Sequence, residues 1–150
     1  MPTLEDAIAL AAKAHAGATD KGRRPYVLHP LRVMLRFHAE VEMMTAVLHD
    51  VVEDTDVTLD QLKKQGYPKQ VLEALDCLTR RKDHETWGEF IERVCANPIA
   101  TRVKLADLED NMDVRRLNRV GAEEAERLAR YRKAWGWLQQ VEERRQGCQH

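Results

Sequence analysis

The sequence predicts an all-α fold, a bundle of about eight helices, on three observations. Apolar residues recur at three- and four-residue steps along the whole chain, and the alternating runs that announce strands are nearly absent. Thr3 with Asp6, Thr58 with Gln61 and Thr86 with Glu89 have the spacing of capping boxes, in which a hydroxyl and a side chain three residues on satisfy orphan backbone N–H groups. Pro30, Pro68 and Pro98 suit first-turn positions, where no N–H is lost, and Gly66 suits a helix stop.

These signals place helices over 3–18, 30–38, 40–54, 58–65, 68–79, 86–96, 98–116 and 121–145. The first opens at Thr3 and contains the Ala-rich run from Ala7 to Ala16. The second follows Pro30, and the third runs through the apolar stretch around Ala46 to Asp54. The fourth opens at Thr58 and closes before Gly66, the fifth follows Pro68, the sixth opens at Thr86 and the seventh starts at Pro98. The last carries Leu128, Tyr131, Trp135, Leu138 and Val141 on one stripe between charged residues, the pattern of a core-facing helix. Between the first two, Asp20-Lys21-Gly22-Arg23-Arg24-Pro25-Tyr26 breaks the helical period, and its Gly and Pro mark an ordered loop suited to binding.

At 150 residues the chain fits one domain, with a core over about 5–135 and a last helix reaching about 145. Lys+Arg 24 against Asp+Glu 25 leaves a net charge of -1, so no general positive field recruits nucleic acid or an anionic membrane. The run from Ala7 to Ala16 is interrupted by Lys13 and preceded by Glu5 and Asp6, unlike a signal peptide, and no stretch approaches the roughly 20 apolar residues of a membrane span. Cys77, Cys95 and Cys148 are odd in number and form no Cys-x-x-Cys pair, which argues against a disulfide framework or a cysteine zinc site. A reducing cytoplasm is the expected compartment. A homo-oligomer through the last helix is compatible with the sequence but not required by it.

His49, Asp50, Glu53 and Asp54 lie in the apolar run Ala46-Val47-Leu48-His49-Asp50-Val51-Val52-Glu53-Asp54-Thr55. Glu53 lies one helical turn beyond His49, and Asp54 one turn beyond Asp50. Four such groups at the edge of a core are strongly disfavoured by desolvation and repulsion unless a cation neutralises them. Lys104-Leu105-Ala106-Asp107, with Asn111 four residues on, places an acid and an amide on another helical face, and His29 stands before Pro30 where the loop re-enters a helix. Together His29, His49, Asp50 and Asp107 supply two nitrogen and two oxygen ligands. Such a set suits Mn, Fe, Co or Zn better than Ca, with Mn favoured here.

The order His29, His49-Asp50, Asp107 resembles the ligand set of the HD-domain metal-dependent phosphohydrolases. More narrowly, the chain resembles the hydrolase domain of RelA/SpoT-type alarmone enzymes and the small alarmone hydrolases. The matching pieces are Ala14-His15-Ala16-Gly17, Pro25 through Leu31, Ala46 through Thr55, Leu78-Thr79-Arg80, Asn97 through Ala100 and Val103 through Asn111. The most specific is Val47 through Thr55, because a Glu-Asp pair just after His-Asp marks this branch. The resemblance implies a helical HD fold and Mn-dependent removal of pyrophosphate from the 3′ position of guanosine (p)ppGpp, the alarmone of the stringent response, giving GTP or GDP. It makes His29, His49, Asp50 and Asp107 the metal ligands and Glu53 and Asp54 the catalytic pair that handles the attacking water. It makes Lys21 and Asn111 substrate contacts, with Arg24, Tyr26 and Lys104 as further substrate-binding candidates. The related bifunctional enzymes continue into a synthetase domain; with an end at His150, none is expected here. Where the long enzymes carry Arg-Lys before their Pro-Tyr this chain has Asp20-Lys21, and where they continue Met-Arg-Thr after the Asn it has Met112-Asp113-Val114.

A metal ion that lowers the pKa of water from about 15.7 to roughly 7 supplies up to roughly 12 kcal/mol of nucleophile activation. A positioned general base supplies about 100- to 10,000-fold, roughly 3–5 kcal/mol. Loss of the ion is therefore expected to cost more than loss of Glu53 or Asp54. The alternatives are an HD phosphohydrolase acting on another nucleotide or phosphoester, and an inactive nucleotide-binding module. His15 is read as a hydrogen-bonded core or supporting histidine, and His38, His84 and His150 as without role. Glu109 and Asp110 are expected to be exposed. Arg80-Arg81-Lys82 reads as a solvated turn from which Arg80 could reach a phosphate.

Overall fold

All three capping boxes form. In the computed structural model, which describes residues 1–148, the Thr3, Thr58 and Thr86 hydroxyls accept the N–H groups of Asp6, Gln61 and Glu89, whose side chains accept the cap N–H in return. They open α1 (Leu4–Ala14), α5 (Leu59–Lys64) and α7 (Trp87–Cys95). Between these lie α2 (Leu28–Met34), α3 (Glu40–Leu48), α4 (Val51–Asp54) and α6 (Lys69–Leu78). Then follow α8 (Pro98–Asn111), a 3-10 turn (Val114–Arg116) and α9 (Ala122–Gly147). No strand occurs among the described residues; one isolated bridge, Thr19 to Pro25, closes the loop before α2.

Four boundaries differ from the sequence reading, each for a local reason. The first helix stops at Ala14 instead of residue 18, because Gly17 turns the chain with a φ of 85°. The second begins at Leu28, with Pro30 still in its first turn, where the missing donor costs nothing. The single helix expected over 40–54 is interrupted at His49–Asp50: the His49 imidazole bonds through Nδ1 to the Ala46 carbonyl at 2.6 Å, the acceptor that a continuous helix reserves for Asp50. The helix from Pro98 ends at Asn111, and Asp113 starts the 3-10 turn by accepting the Arg115 N–H. The interruption makes nine α-helices among the described residues.

The core gathers around α3, which packs on α1, α2, α6 and α8, burying Val47, Leu48, Leu75 and Leu108. Across α8, α9 lies on α7 and α8 through Ala134 and Leu138. Of the expected stripe only Leu138 is fully covered; Leu128, Tyr131, Trp135 and Val141 are half-buried. The result is that α2, α3 and α8, neighbours in the packing, carry His29, His49 and Asp107 toward one another. No helix among the described residues is long and apolar enough to cross a membrane.

Thr58→Ala and Thr86→Ala are each expected to cost about 1 kcal/mol, and their effects to add because they cap separate helices. Urea unfolding midpoints measure both; an unshifted midpoint would remove capping from the account.

Candidate metal centre

His29, His49, Asp50 and Asp107 each offer a donor atom, all four lie within 4.8 Å of one another, and all four residues are buried. The convergence has three causes. α2 presents His29 in its first turn, α8 presents Asp107 from mid-helix, and the break after α3 turns His49 and its neighbour Asp50 to the same point. His29 Nε2 lies 2.8 Å and His49 Nε2 3.1 Å from the same Asp107 Oδ1, and Asp50 Oδ2 lies 3.2 Å from His49 Nε2 and 3.7 Å from His29 Nε2.

The surrounding bonds aim these atoms inward. His29 Nδ1 bonds to Asp110 Oδ2 at 2.5 Å and His49 Nδ1 to the Ala46 carbonyl, leaving both Nε2 atoms facing the centre. Outward bonding of one ring nitrogen is how metal-ligating histidines are commonly oriented. Tyr26 donates its hydroxyl to Asp50 Oδ2 at 2.6 Å, Asn111 donates its amide to Asp107 Oδ1 at 3.2 Å, and Lys104 Nζ lies 2.8 Å from Asp107 Oδ2. Two imidazole nitrogens oriented from behind and two carboxylate oxygens, all from buried residues, fit a divalent transition metal.

Burial opposes the charged imidazole of His29, but its bonds to Asp107 and Asp110 prevail and lift its pKa to about 9. Burial likewise opposes the charged His49, and Asp50 with Asp107 lifts it well above the ordinary value. Burial raises Asp50, yet His49 holds it down to about 2, while Lys104 and His49 hold Asp107 far below the carboxylate range. The carboxylates thus raise the proton affinity of both imidazoles. Glu53 and Asp54 behave oppositely: desolvation first, then Asp50, raises both.

A cavity of about 420 Å³ opens beside the centre, with His29 and Tyr26 on its wall. Lys21 and Asn111 line it as the sequence suggests, together with Arg32, Arg116 and Arg127. Two candidate substrate contacts stand elsewhere. Arg24 is exposed outside the lining, because the Asp20 carboxylate takes the Gly22 and Arg24 N–H groups and folds that loop segment back. Lys104 is turned to Asp107 and over the rings of Phe90 and Trp87, at 5.3 and 5.6 Å from their centroids. Glu53 is half-buried and Asp54 exposed on α4, one turn beyond the His-Asp pair and outside the cavity lining.

The expectation that Asp110 is exposed fails: its side chain is 11% exposed and pairs with His29, Arg32 and Arg116. The available signal was its position three residues after Asp107, on the same helical face. Glu109, the other acid expected to be exposed, is half-buried and accepts bonds from Arg36 and Trp135. Arg32, three residues after His29, and Arg116 were not singled out from the sequence. His15 is buried with its ring 5.0 Å from that of Tyr26, but its Nε2 has no hydrogen-bond partner. His38 and His84 are exposed, and His150 lies outside the described residues.

No family model matches the chain. The bifunctional (p)ppGpp synthase/hydrolase SpoT of Escherichia coli (strain K12) is 34% identical over 141 residues, 85% of this chain and 20% of that protein. A guanosine-3′,5′-bis(diphosphate) 3′-pyrophosphohydrolase of Aquifex aeolicus is 28% identical over 121 residues, 73% of this chain and 17% of that protein. The chain thus spans about a fifth of the length of the curated relatives it matches. Among solved structures, a metazoan ortholog of SpoT, described as hydrolysing ppGpp and acting in starvation responses, superposes with a TM-score of 0.76 at 26% identity. That match covers 92% of this chain and 86% of the other.

Divalent manganese at about 100 times its dissociation constant is expected to stabilise the protein by about 2.7 kcal/mol. Differential scanning fluorimetry reads this as a rise in Tm, absent in Asp107→Ala. Asp110→Asn should keep the fold and weaken ion binding about 10- to 100-fold; equal affinity by calorimetry would remove Asp110 from the site. In chelator, the stability that His29 contributes is fully present below pH 6.5 and lost as pH rises through about 9, since its folded pKa is the higher. Tm in EDTA should therefore fall over that window, and a flat profile would contradict the pairing.

Proposed function

The chain belongs to the RelA/SpoT-type family of HD hydrolase domains, and we propose that it hydrolyses the 3′-pyrophosphate of guanosine (p)ppGpp with manganese, giving GTP or GDP and pyrophosphate. The observation that carries this reading is the convergence of His29, His49, Asp50 and Asp107 beside a cavity whose wall includes Lys21, Tyr26 and Asn111. A cytoplasmic enzyme acting on a soluble nucleotide accords with it.

His29, His49, Asp50 and Asp107 would hold the ion, which when bound supplies Lewis acidity toward phosphoryl oxygens and acidifies water. The chain's own groups do the rest. Tyr26, by its bond to Asp50 Oδ2, and Lys104, by its contact with Asp107 Oδ2, fix which carboxylate oxygens face the centre. Glu53, its proton affinity raised by burial and by Asp50, takes a proton from the attacking water, and Asp54 assists at the open rim. Lys21 offsets phosphate charge in the cavity, and Asn111, already donating to Asp107, spans ligand and substrate.

One observation favours a second reading, hydrolysis of another nucleotide or phosphoester by the same residues. Asp20 and Asp113 both line the cavity, and Asp113 holds Arg116 at 3.2 Å, so that part of the wall differs in charge from that of the long enzymes.

With manganese, ppGpp is expected to release pyrophosphate while nucleoside mono- and triphosphates are spared; phosphate release from monophosphates alone would select the second reading. Glu53→Gln combined with Asp54→Asn should lower kcat about 100- to 10,000-fold with ion binding retained. Turnover at the wild-type rate in that variant would overturn the assignment of the pair.

A further inference from the structure

Lys104, which meets Asp107 Oδ2, shares the Trp87 ring with Arg80 and Arg130, cations to which the reaction above gives no substrate contact. The loop of residues 79–86, between α6 and α7, is pinned by Arg93, which donates to the Asp76 and Thr79 carbonyls at 2.9 and 2.8 Å. Arg93 also makes two bonds to the Glu85 carboxylate, at 2.5 and 2.9 Å, and Glu85 accepts the Arg81 N–H at 3.0 Å. Held at both ends, the loop presents Arg80 and Lys82 from a fixed backbone, so ordering it costs a ligand little.

Arg80 Cζ lies 5.7 Å from the Trp87 ring centroid, Lys104 Nζ 5.6 Å and Arg130 Cζ 4.9 Å. Only Lys104 has a carboxylate partner among the described residues, and Arg80 Nε is buried with no acceptor. Cation–π attraction returns about 0.5–2 kcal/mol per contact, while a buried donor left unmade costs about 1–3 kcal/mol and like charges repel. An anion resolves both costs. Lys82, exposed, stands two residues after Arg80 on the same pinned loop. Arg80, Lys82, Lys104 and Trp87 are all absent from the cavity lining, and Trp87 backs onto the cavity-lining Tyr131 at 6.1 Å.

With the nucleoside in the cavity and the scissile phosphorus at the metal centre, the terminal phosphate of a 3′-diphosphate extends beyond that phosphorus, away from the sugar. We propose that Arg80 and Lys82, with Lys104, form the subsite for this terminal phosphate and so select 3′-diphosphates over 3′-monophosphates. The assignment rests on the hydrolase reading and deepens it. In the reaction the water oxygen bonds to the phosphorus carrying the 3′ oxygen, and the bond between them breaks with its electron pair passing to the 3′ oxygen. One water proton travels by way of Glu53 to that oxygen, the other stays on the departing pyrophosphate, and no redox partner is needed. The subsite holds the phosphate at the far end throughout.

The test compares the wild type with Lys82→Ala, Arg80→Ala and the conservative Arg80→Lys by two readouts. In the first, the ratio of kcat/KM for ppGpp to that for guanosine 5′-diphosphate 3′-monophosphate should drop at least about tenfold in both alanine variants, through KM, with partial recovery in Arg80→Lys. In the second, calorimetry with inorganic pyrophosphate in EDTA should show binding to wild type that weakens at least about tenfold in the alanine variants, with inorganic phosphate bound more weakly throughout. Lys82 is exposed, so its truncation leaves the fold intact and keeps the test decisive even where Arg80→Ala unfolds. Unchanged ratio and affinity, with ppGpp still hydrolysed, would overturn the subsite and spare the hydrolase reading. Pyrophosphate binding that depends on Arg80 and Lys82 in a protein that fails to hydrolyse ppGpp would support the anion subsite and overturn the hydrolase reading instead.

Discussion

The constraint on which the structure depends is the burial of two imidazoles and two carboxylates within a few ångströms of one point. Taking such groups out of water is unfavourable unless charge of the other sign sits among them. Within the protein, the Lys104 ammonium beside Asp107 supplies part of that charge, and the neighbouring carboxylates raise the proton affinity of both imidazoles. A divalent cation held by His29, His49, Asp50 and Asp107 would supply a fixed positive charge, with each imidazole in its neutral, ligating form. Bonds from Asp110 and the Ala46 carbonyl orient the two imidazoles, and bonds from Tyr26 and Asn111 hold the two carboxylates.

Asp107 is the hinge of this arrangement. One carboxylate oxygen faces both imidazoles and Asn111, and the other meets Lys104, so the residue divides the site into two faces. The first opens on the cavity that takes up Lys21 and Arg116; the second opens on Trp87 and its ring of cations. Basic side chains thus stand on both sides of this one carboxylate.

The fold was legible in the sequence wherever the signal is local. The caps at Thr3, Thr58 and Thr86 involve residues three apart and form as written, because nothing distant competes for those N–H groups. The break after Leu48 was not legible, since apolar spacing continues smoothly through it while the His49 imidazole and backbone N–H both take the Ala46 carbonyl. At the site, the ligand candidates could be named from residue types and order, whereas their supports could not all be found. Asp110 was read by its polarity as exposed, although helical geometry puts it beside Asp107. Charge alone did not tell where Lys104 and Arg24 stand outside the cavity lining: Lys104 is drawn to Asp107, and the Arg24 segment is folded back by a turn centred on Asp20.

One wall of the cavity belongs to the last helix, through Glu124, Arg127, Leu128 and Tyr131. The same helix is seated by Leu138 in the core and by the Trp135 indole donating to Glu109, one residue from the acid that orients His29. A single rod therefore walls the chamber and packs beside the residue next to Asp110. A displacement of that rod would carry the chamber wall and the partner of Glu109 with it.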